Sequence, residues 1–165
     1  MRKVSAHYYL RPDGSFGKRP IIEMNDDGCI SGVRELGNDF QEEPSLEYYP
    51  GILIPAFVAS VQTGENLSFA KANGVLRIKE GDSTLDKQSF LQAWNFIKST
   101  LLQQGNSETL SCLLSNHTFE AARQINMNEW GVIQEGANPG LLVLQHIDLR
   151  SFSVMEKSTF KIIQR

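Results

Sequence analysis

The sequence predicts an α+β fold, and three observations predict it. Segments rich in β-branched and aromatic residues occupy both ends of the 165-residue chain, the middle has the spacing of amphipathic helices, and turn signals such as Pro12-Asp13-Gly14 and Asp27-Gly28 divide the end segments. With 41% apolar residues and the length of one ordinary domain, residues 1–165 are expected to share a single core. Three parts are expected: an N-terminal β part over 1–58, a connection with one long helix over 59–106, and helices followed by a C-terminal β part over 107–165.

In chain order, "KVSAHYYL" alternates and is rich in β-formers, so it reads as a strand; "RPDGSFGKRP" reads as a loop. "IIEMNDDGCISGVREL" holds two short apolar runs about Asp27-Gly28, the signature of a hairpin. Glu47-Tyr48-Tyr49 and Gly51 to Ile54 read as two more strands divided by Pro50, making a small antiparallel layer before Ala59.

From Asp86 to Gln104 the period changes. Phe90, Leu91, Trp94, Ile97 and Leu101 fall on one helical face, with Asp86 or Ser89 as N-cap and Gly105 as the stop. A second helix is expected from near Ser107, with Glu108 in its first turn and Leu110, Leu113 and Leu114 inward, and a third from Thr118 through Phe119, Ala122 and Ile125. "GANPG" then turns into the apolar run Leu141 to Leu144, and "STFKIIQR" is a last strand. Both ends are therefore expected in one sheet system, covered by about three helices.

Composition excludes some function classes. A net charge of −3 and a pI near 5.6 give no footprint for nucleic acid or an anionic membrane, and Arg2-Lys3 and Lys18-Arg19 read as solvated surface. No window approaches the ~20 apolar residues of a spanning helix, and "MRKVSAHYYLRPDG" has no apolar leader segment. Cys29 and Cys112 are far apart, which suggests neither a disulfide framework nor a zinc knuckle. A soluble, cytoplasmic protein is expected.

Taken together, "VSAHYYLRPDG", "IIEMNDDGCISGV" and "LEYYPGILIPAFV" at one end, and "TFEAARQINMNEWGVIQEGANPGLLVLQHID" at the other, resemble the amidohydrolase superfamily. The likeness is greatest to its cytosine-deaminase-like and aminodeoxyfutalosine-deaminase-like members. The resemblance implies that the two ends form the composite β-sandwich that in those enzymes stands beside a catalytic (β/α)8 barrel. Such a barrel needs about 200 residues or more, so no complete barrel fits between the ends here.

The resemblance also names what is missing. Family members follow a Pro-Gly-Phe-Val lead-in with Asn-Ala-His-x-His, whose alternation sends two imidazoles to one side to share a divalent metal. The equivalent stretch is "PAFVASVQT", which places Val61 and Thr63 at the ligand positions and Ala56 at the Gly. Val61 has no lone pair, and a neutral Thr hydroxyl is a weak ligand for zinc or iron. No metal or other cofactor is expected.

Other chemistry has plainer readings. His7, His117 and His146 form no His-x-His or His-x-x-x-His pair, and His146 with Asp148 reads as a polar edge after a buried run. Cys112 and His117 are five apart across a helix end, with Cys112 read as a small buried side chain. Asp26-Asp27 and Glu42-Glu43 sit at turns. "GSFGK" and "GVLRIKEGD" lack a phosphate-loop fingerprint and read as loop punctuation. No Gly-x-Ser-x-Gly elbow is present.

The expected function is that of a non-catalytic, metal-less amidohydrolase relative acting as an interaction or regulatory module. Two alternatives stand beside it: a hydrolase or deaminase of carbon-nitrogen bonds with an unrecognised site, and a small-molecule binding module in a remnant cleft. Loss of the barrel is expected to bare a patch of Phe57, Val58, Leu113 and Phe119, making a homodimer or a complex with a full-length amidohydrolase relative the expected assembly.

Overall fold

The computed structural model describes residues 1–36, 42–62 and 67–164. The first strands are β1 (Arg2–Leu10), β2 (Phe16–Lys18), β3 (Pro20–Met24), β4 (Ile30–Glu35), β5 (Leu46–Pro55) and β6 (Phe57–Val61). Helix α1 (Ser68–Ala72), strand β7 (Val75–Glu80), and helices α2 (Gln88–Leu91), α3 (Ala93–Leu102), α4 (Leu110–His117) and α5 (Phe119–Gln124) follow. Strands β8 (Leu141–Gln145) and β9 (Thr159–Gln164) end the chain.

The fold is α+β, and its larger sheet takes strands from both chain ends in the order β4-β3-β1-β5-β8-β9, with β2 also on β1. The sheet is mixed rather than antiparallel, because β1 and β5 run parallel. Strand β5 also continues through Pro50. The register against β1 slips between Ala6 and Tyr8, and this bulge absorbs Pro50, which has no N–H to give to a ladder. At the slip the Gly51 N–H donates to His7 Nδ1 at 3.0 Å. Gly51 has φ +135°, and a Cβ there would stand 1.9 Å from the Leu144 carbonyl oxygen, so only glycine lets β8 come close.

The loop expected at residues 11–20 contains β2 and the start of β3, which carry the hairpin about Asp27-Gly28 back along β1. Ile52 and Ile54 face one core with Leu142 and Leu144; Leu53 faces a second with Leu141 and Val143. Burial on both faces explains why these strands read as unbroken apolar runs.

The sheet curls strongly. Strands β5 and β8 separate β1 from β9, about 14 Å across a flat sheet, yet Arg2 Nη1 donates to the Ile163 carbonyl at 2.8 Å. Ile30 N–H donates to Ala137 O and Gly136 N–H to Ile30 O, each at 2.8 Å, so the start of β4 also reaches the segment before β8. The second core, with Met24, Ile30 and Ile163, lies inside this roll. Arg2 also grips Glu47 through two bonds of 2.7 Å, and these, with a bond from Tyr49, hold the Glu47 carboxyl down at about 2.

The helices are shorter and more numerous than the periodicity predicts. The expected helix from Asp86 to Gln104 breaks at Gln92, whose ψ is +44°. The physical reason lies in Asn73, just past α1: its carbonyl accepts Trp94 N–H at 3.3 Å and its Oδ1 accepts Asn95 N–H at 3.2 Å. Those amides begin a new helix at the Asn73 cap rather than continuing α2. Neither Asp86 nor Ser89 is a cap; α2 starts after Lys87. Helix α4 starts at Leu110 instead of near Ser107, with Thr109 Oγ1 accepting Cys112 N–H at 3.3 Å.

The segment expected as loop punctuation contains β7, which pairs in parallel with β6 as a separate two-stranded sheet. Helix α1 makes the crossover between them. Neither sheet closes into a barrel among the described residues.

Three substitutions test this packing. Gly51→Ala is expected to destabilise by about 3 kcal/mol or more, from the collision with Leu144 and the backbone strain together. Gly105→Ala meets no atom within 4 Å and is expected to cost only about 1 kcal/mol for its left-handed backbone. Trp94, 5% exposed and edge-on to Phe160 at 6.1 Å, is expected to cost about 3–5 kcal/mol as Trp94→Ala. Urea midpoints at unchanged slope measure all three; a Gly51→Ala protein as stable as the parent would refute the close approach of β5 and β8.

Candidate functional site

Of the positions singled out by motif, strand β6 carries Val61. Val61 is its last residue, 1% exposed and paired with Glu80 of β7. Ala56, just before β6, is also buried, and its N–H donates to Gly140 O at 3.2 Å. Thr63 lies outside the described residues.

The expected surface patch is not a surface. Phe57 and Val58 are fully buried and Leu113 is 5% exposed, while Phe119 is half-buried beneath the Arg123 guanidinium at 5.7 Å. The covering comes from the chain itself. Leu91, Trp94, Ile97 and Leu114 pack into the core of Phe57 and Leu113; Leu85, Ala121, Ala122 and Ile125 pack on Val58. The homodimer expected from that patch loses the surface on which it was argued.

The histidines stand apart. His7 serves the bulge between β1 and β5, and the His146 carbonyl accepts the Ser158 hydroxyl at 2.7 Å. Asp148 Oδ1 accepts Arg150 N–H at 2.9 Å, a turn bond rather than a partnership with His146. Among the described residues no group of three or more His, Cys, Asp or Glu side chains could hold a metal ion. Cys112 is exposed, correcting its reading as buried. Partial burial, followed by the nearby Glu108 carboxylate, pushes its thiol up.

His117 is the buried histidine. Its Nδ1 lies 2.8 Å from Leu113 O and its Nε2 3.1 Å from Ser89 O, with the rings of Phe57, Phe90 and Phe96 centred 6.5, 5.1 and 5.4 Å away. A neutral imidazole has one N–H, so it satisfies one carbonyl and turns a lone pair toward the other. Burial pushes the imidazole below its ordinary value, while the two carbonyls pull it upward. The Nε2 contact joins α4 to α2 while the Nδ1 contact stays within α4, and neither nitrogen serves Cys112.

The small parallel sheet has covered faces and, among the described residues, no third strand. Val58 and Ser60 of β6 lie beside Arg77 and Lys79 of β7 on one face; Ala59 and Val61 lie beside Ile78 and Glu80 on the other. Lys79 Nζ donates to Ile125 O at 2.8 Å. Arg77 donates from Nε to Asn138 O at 2.9 Å and from Nη2 to Asn138 Oδ1 at 2.7 Å. Burial pushes its guanidinium below the ordinary value, and it makes no ion pair among the described residues. On its outer side β7 pairs with no strand among the described residues. Sequence reasoning missed this edge; the alternation of "VLRIKE" was its available signal. No helix among them is long and apolar enough to cross a membrane.

His117 gives a pH test. The unfolded chain takes up its proton near 6.5 and the folded chain only at lower pH, so stability from this residue is full above the unfolded value and falls as pH drops toward the folded one. His117→Gln is expected to flatten that part of the stability-pH curve, measured by urea midpoints at stepped pH. An unchanged slope would place the ring in contact with water.

No family model matches the chain, and no curated protein does. Solved structures match it in part: an amidohydrolase from Brucella melitensis at 14% identity and TM-score 0.33, over 82% of this chain and 26% of that one; and N-acetyl-D-glucosamine-6-phosphate deacetylase from Mycobacterium smegmatis at 14% identity and TM-score 0.34, over 47% and 25%. E. coli guanine deaminase is similar at 13% identity and TM-score 0.31, over 76% of this chain and 34% of that one. The chain spans about a quarter to a third of the length of these structures.

Proposed function

We propose that this chain is a non-catalytic, metal-less amidohydrolase relative that acts as an interaction module, receiving an extended segment of another protein along the outer edge of β7. The open edge carries the reading. Parallel sheets occur almost only with both faces covered and several strands side by side, and a two-stranded sheet is marginal by itself. Here the faces are covered and among the described residues the pairing stops after one partner, leaving N–H and C=O groups of the kind that bind by strand addition.

A second copy of the chain is a poor occupant. Two antiparallel strands related by a two-fold axis normal to their sheet pair residues of the same parity, whatever the register. In the registers that pair the middle of β7 with itself, Arg77 or Lys79 would then stand opposite Arg77 or Lys79 of the copy, and like charges opposed across a ladder destabilise it. A different chain escapes this restriction, and a full-length amidohydrolase relative is the proposed partner. The apolar Val61 at the end of β6, where the family resemblance implies a metal-binding imidazole, supports the non-catalytic part of the reading.

A photo-crosslinking residue at position 80, in place of the exposed Glu80, tests the edge in the native cell. Cross-links to one extended segment of another protein are expected, mapped by mass spectrometry; cross-links confined to this chain would overturn the proposal. Metal analysis of protein purified without chelator tests the rest. Stoichiometric zinc or iron, lost on replacing a histidine, would return the chain to the hydrolases.

A further inference from the structure

The geometry points to a binding site for a small organic cation, an amine with an aromatic or apolar body, in a cleft between the start of α4 and the 148–154 loop. None of its lining residues belongs to β6 or β7, so the site stands apart from the edge proposed above. The cleft encloses about 400 Å³, within the range of small-molecule sites.

The loop is built to hold one ring. Phe152 has φ +52°, a backbone conformation that a bulky side chain rarely adopts and that persists only where its surroundings fix it. Here they do. Asp148 and Ser153 exchange backbone bonds of 3.0 and 3.2 Å, and Ser151 Oγ and Ser153 Oγ are 2.7 Å apart. The Phe152 ring stacks on Phe16 at 4.5 Å, with 22° between the planes, and meets Tyr8 edge-on at 5.0 Å. Phe16 and Phe152 both line the cleft, so this aromatic pair gives it an apolar wall.

Charge selects the ligand. Glu108 is the one ionisable side chain among the lining residues, and it makes no ion pair among the described residues. Among the described residues no Lys or Arg lines the cleft. A cleft lined by a carboxylate and aromatic rings suits an ammonium group, which is drawn to both. Ser111, Ser151 and Ser153 add hydroxyl oxygens to the lining, acceptors for its remaining N–H groups. Glu108 also stands one residue before the Thr109 cap of α4, where a carboxylate offsets the helix dipole. Binding and stability must therefore be read separately.

The probes are phenethylamine, its neutral counterpart 2-phenylethanol, and phenylacetate, titrated into the whole chain at pH 7 and followed by amide chemical shifts and calorimetry. Saturable binding of the amine is expected, with shifts at Ser111 and at residues 151–154, and with the alcohol about tenfold weaker and the carboxylate weaker still. Glu108→Gln is expected to lower amine affinity about tenfold while leaving the alcohol unchanged, at a melting temperature close to that of the parent. Phe152→Leu is expected to weaken amine and alcohol together. The proposal is overturned by no saturable shift with the amine, by equal affinity for amine and carboxylate, or by an amine affinity indifferent to Glu108→Gln in a folded variant.

Discussion

The architecture depends on the absence of a side chain at Gly51. Its backbone passes so close to the Leu144 carbonyl that a methyl group would overlap it, and that closeness lets β5 hold partners on both edges, β1 in parallel and β8 antiparallel. Once β5 and β8 lie side by side, their alternate residues supply two cores. One is roofed by helices from the middle of the chain; the other is enclosed by the curl of the sheet. The bulge beside Gly51 is the local cost of this arrangement, and His7 takes up the amide it leaves without a ladder partner.

Polar groups set the divisions that apolar periodicity leaves open. Asn73 is 8% exposed. It donates from Nδ2 to Phe69 O at 3.0 Å while capping the start of α3, so one amide ends α1, splits the expected long helix and fixes the angle between the pieces. His117 does similar work between α4 and α2, and Thr118 Oγ1 donates back to Leu114 O at 2.8 Å where α4 gives way to α5. Several short helices held by such bonds can follow a curved surface that one straight helix would leave partly bare.

Much of this was legible in the sequence. Asp27-Gly28 marks its hairpin because a tight turn has few chemistries, and Leu141 to Leu144 marks a strand buried on both faces because nothing polar interrupts it. The spacing of Leu91, Trp94 and Ile97 identifies a core face even though the helix containing it is broken. What escaped depends on distant partners. Nothing near Pro50 says that a bulge will carry the strand past it, and nothing near Gln92 announces an asparagine nineteen positions earlier. Phe57, Val58 and Leu113 were legible as apolar but not as covered, since their cover is assembled from α3, α5 and Leu85. At the candidate edge, the apolar replacement at Val61 was visible; the strand β7 beside it was not, because its alternation is short and charged.

The contact between Arg2 and the Ile163 carbonyl joins positions at opposite ends of the chain. Strand β1 is made well before β8 and β9, so the roll stays open until they arrive, with the apolar faces of β1 and β5 lacking neighbours. Pairings of such long sequence separation form late and slowly. Strands β8 and β9 act as a closing clasp, and the half-made form, its strands exposed, is a natural client for whatever shields them.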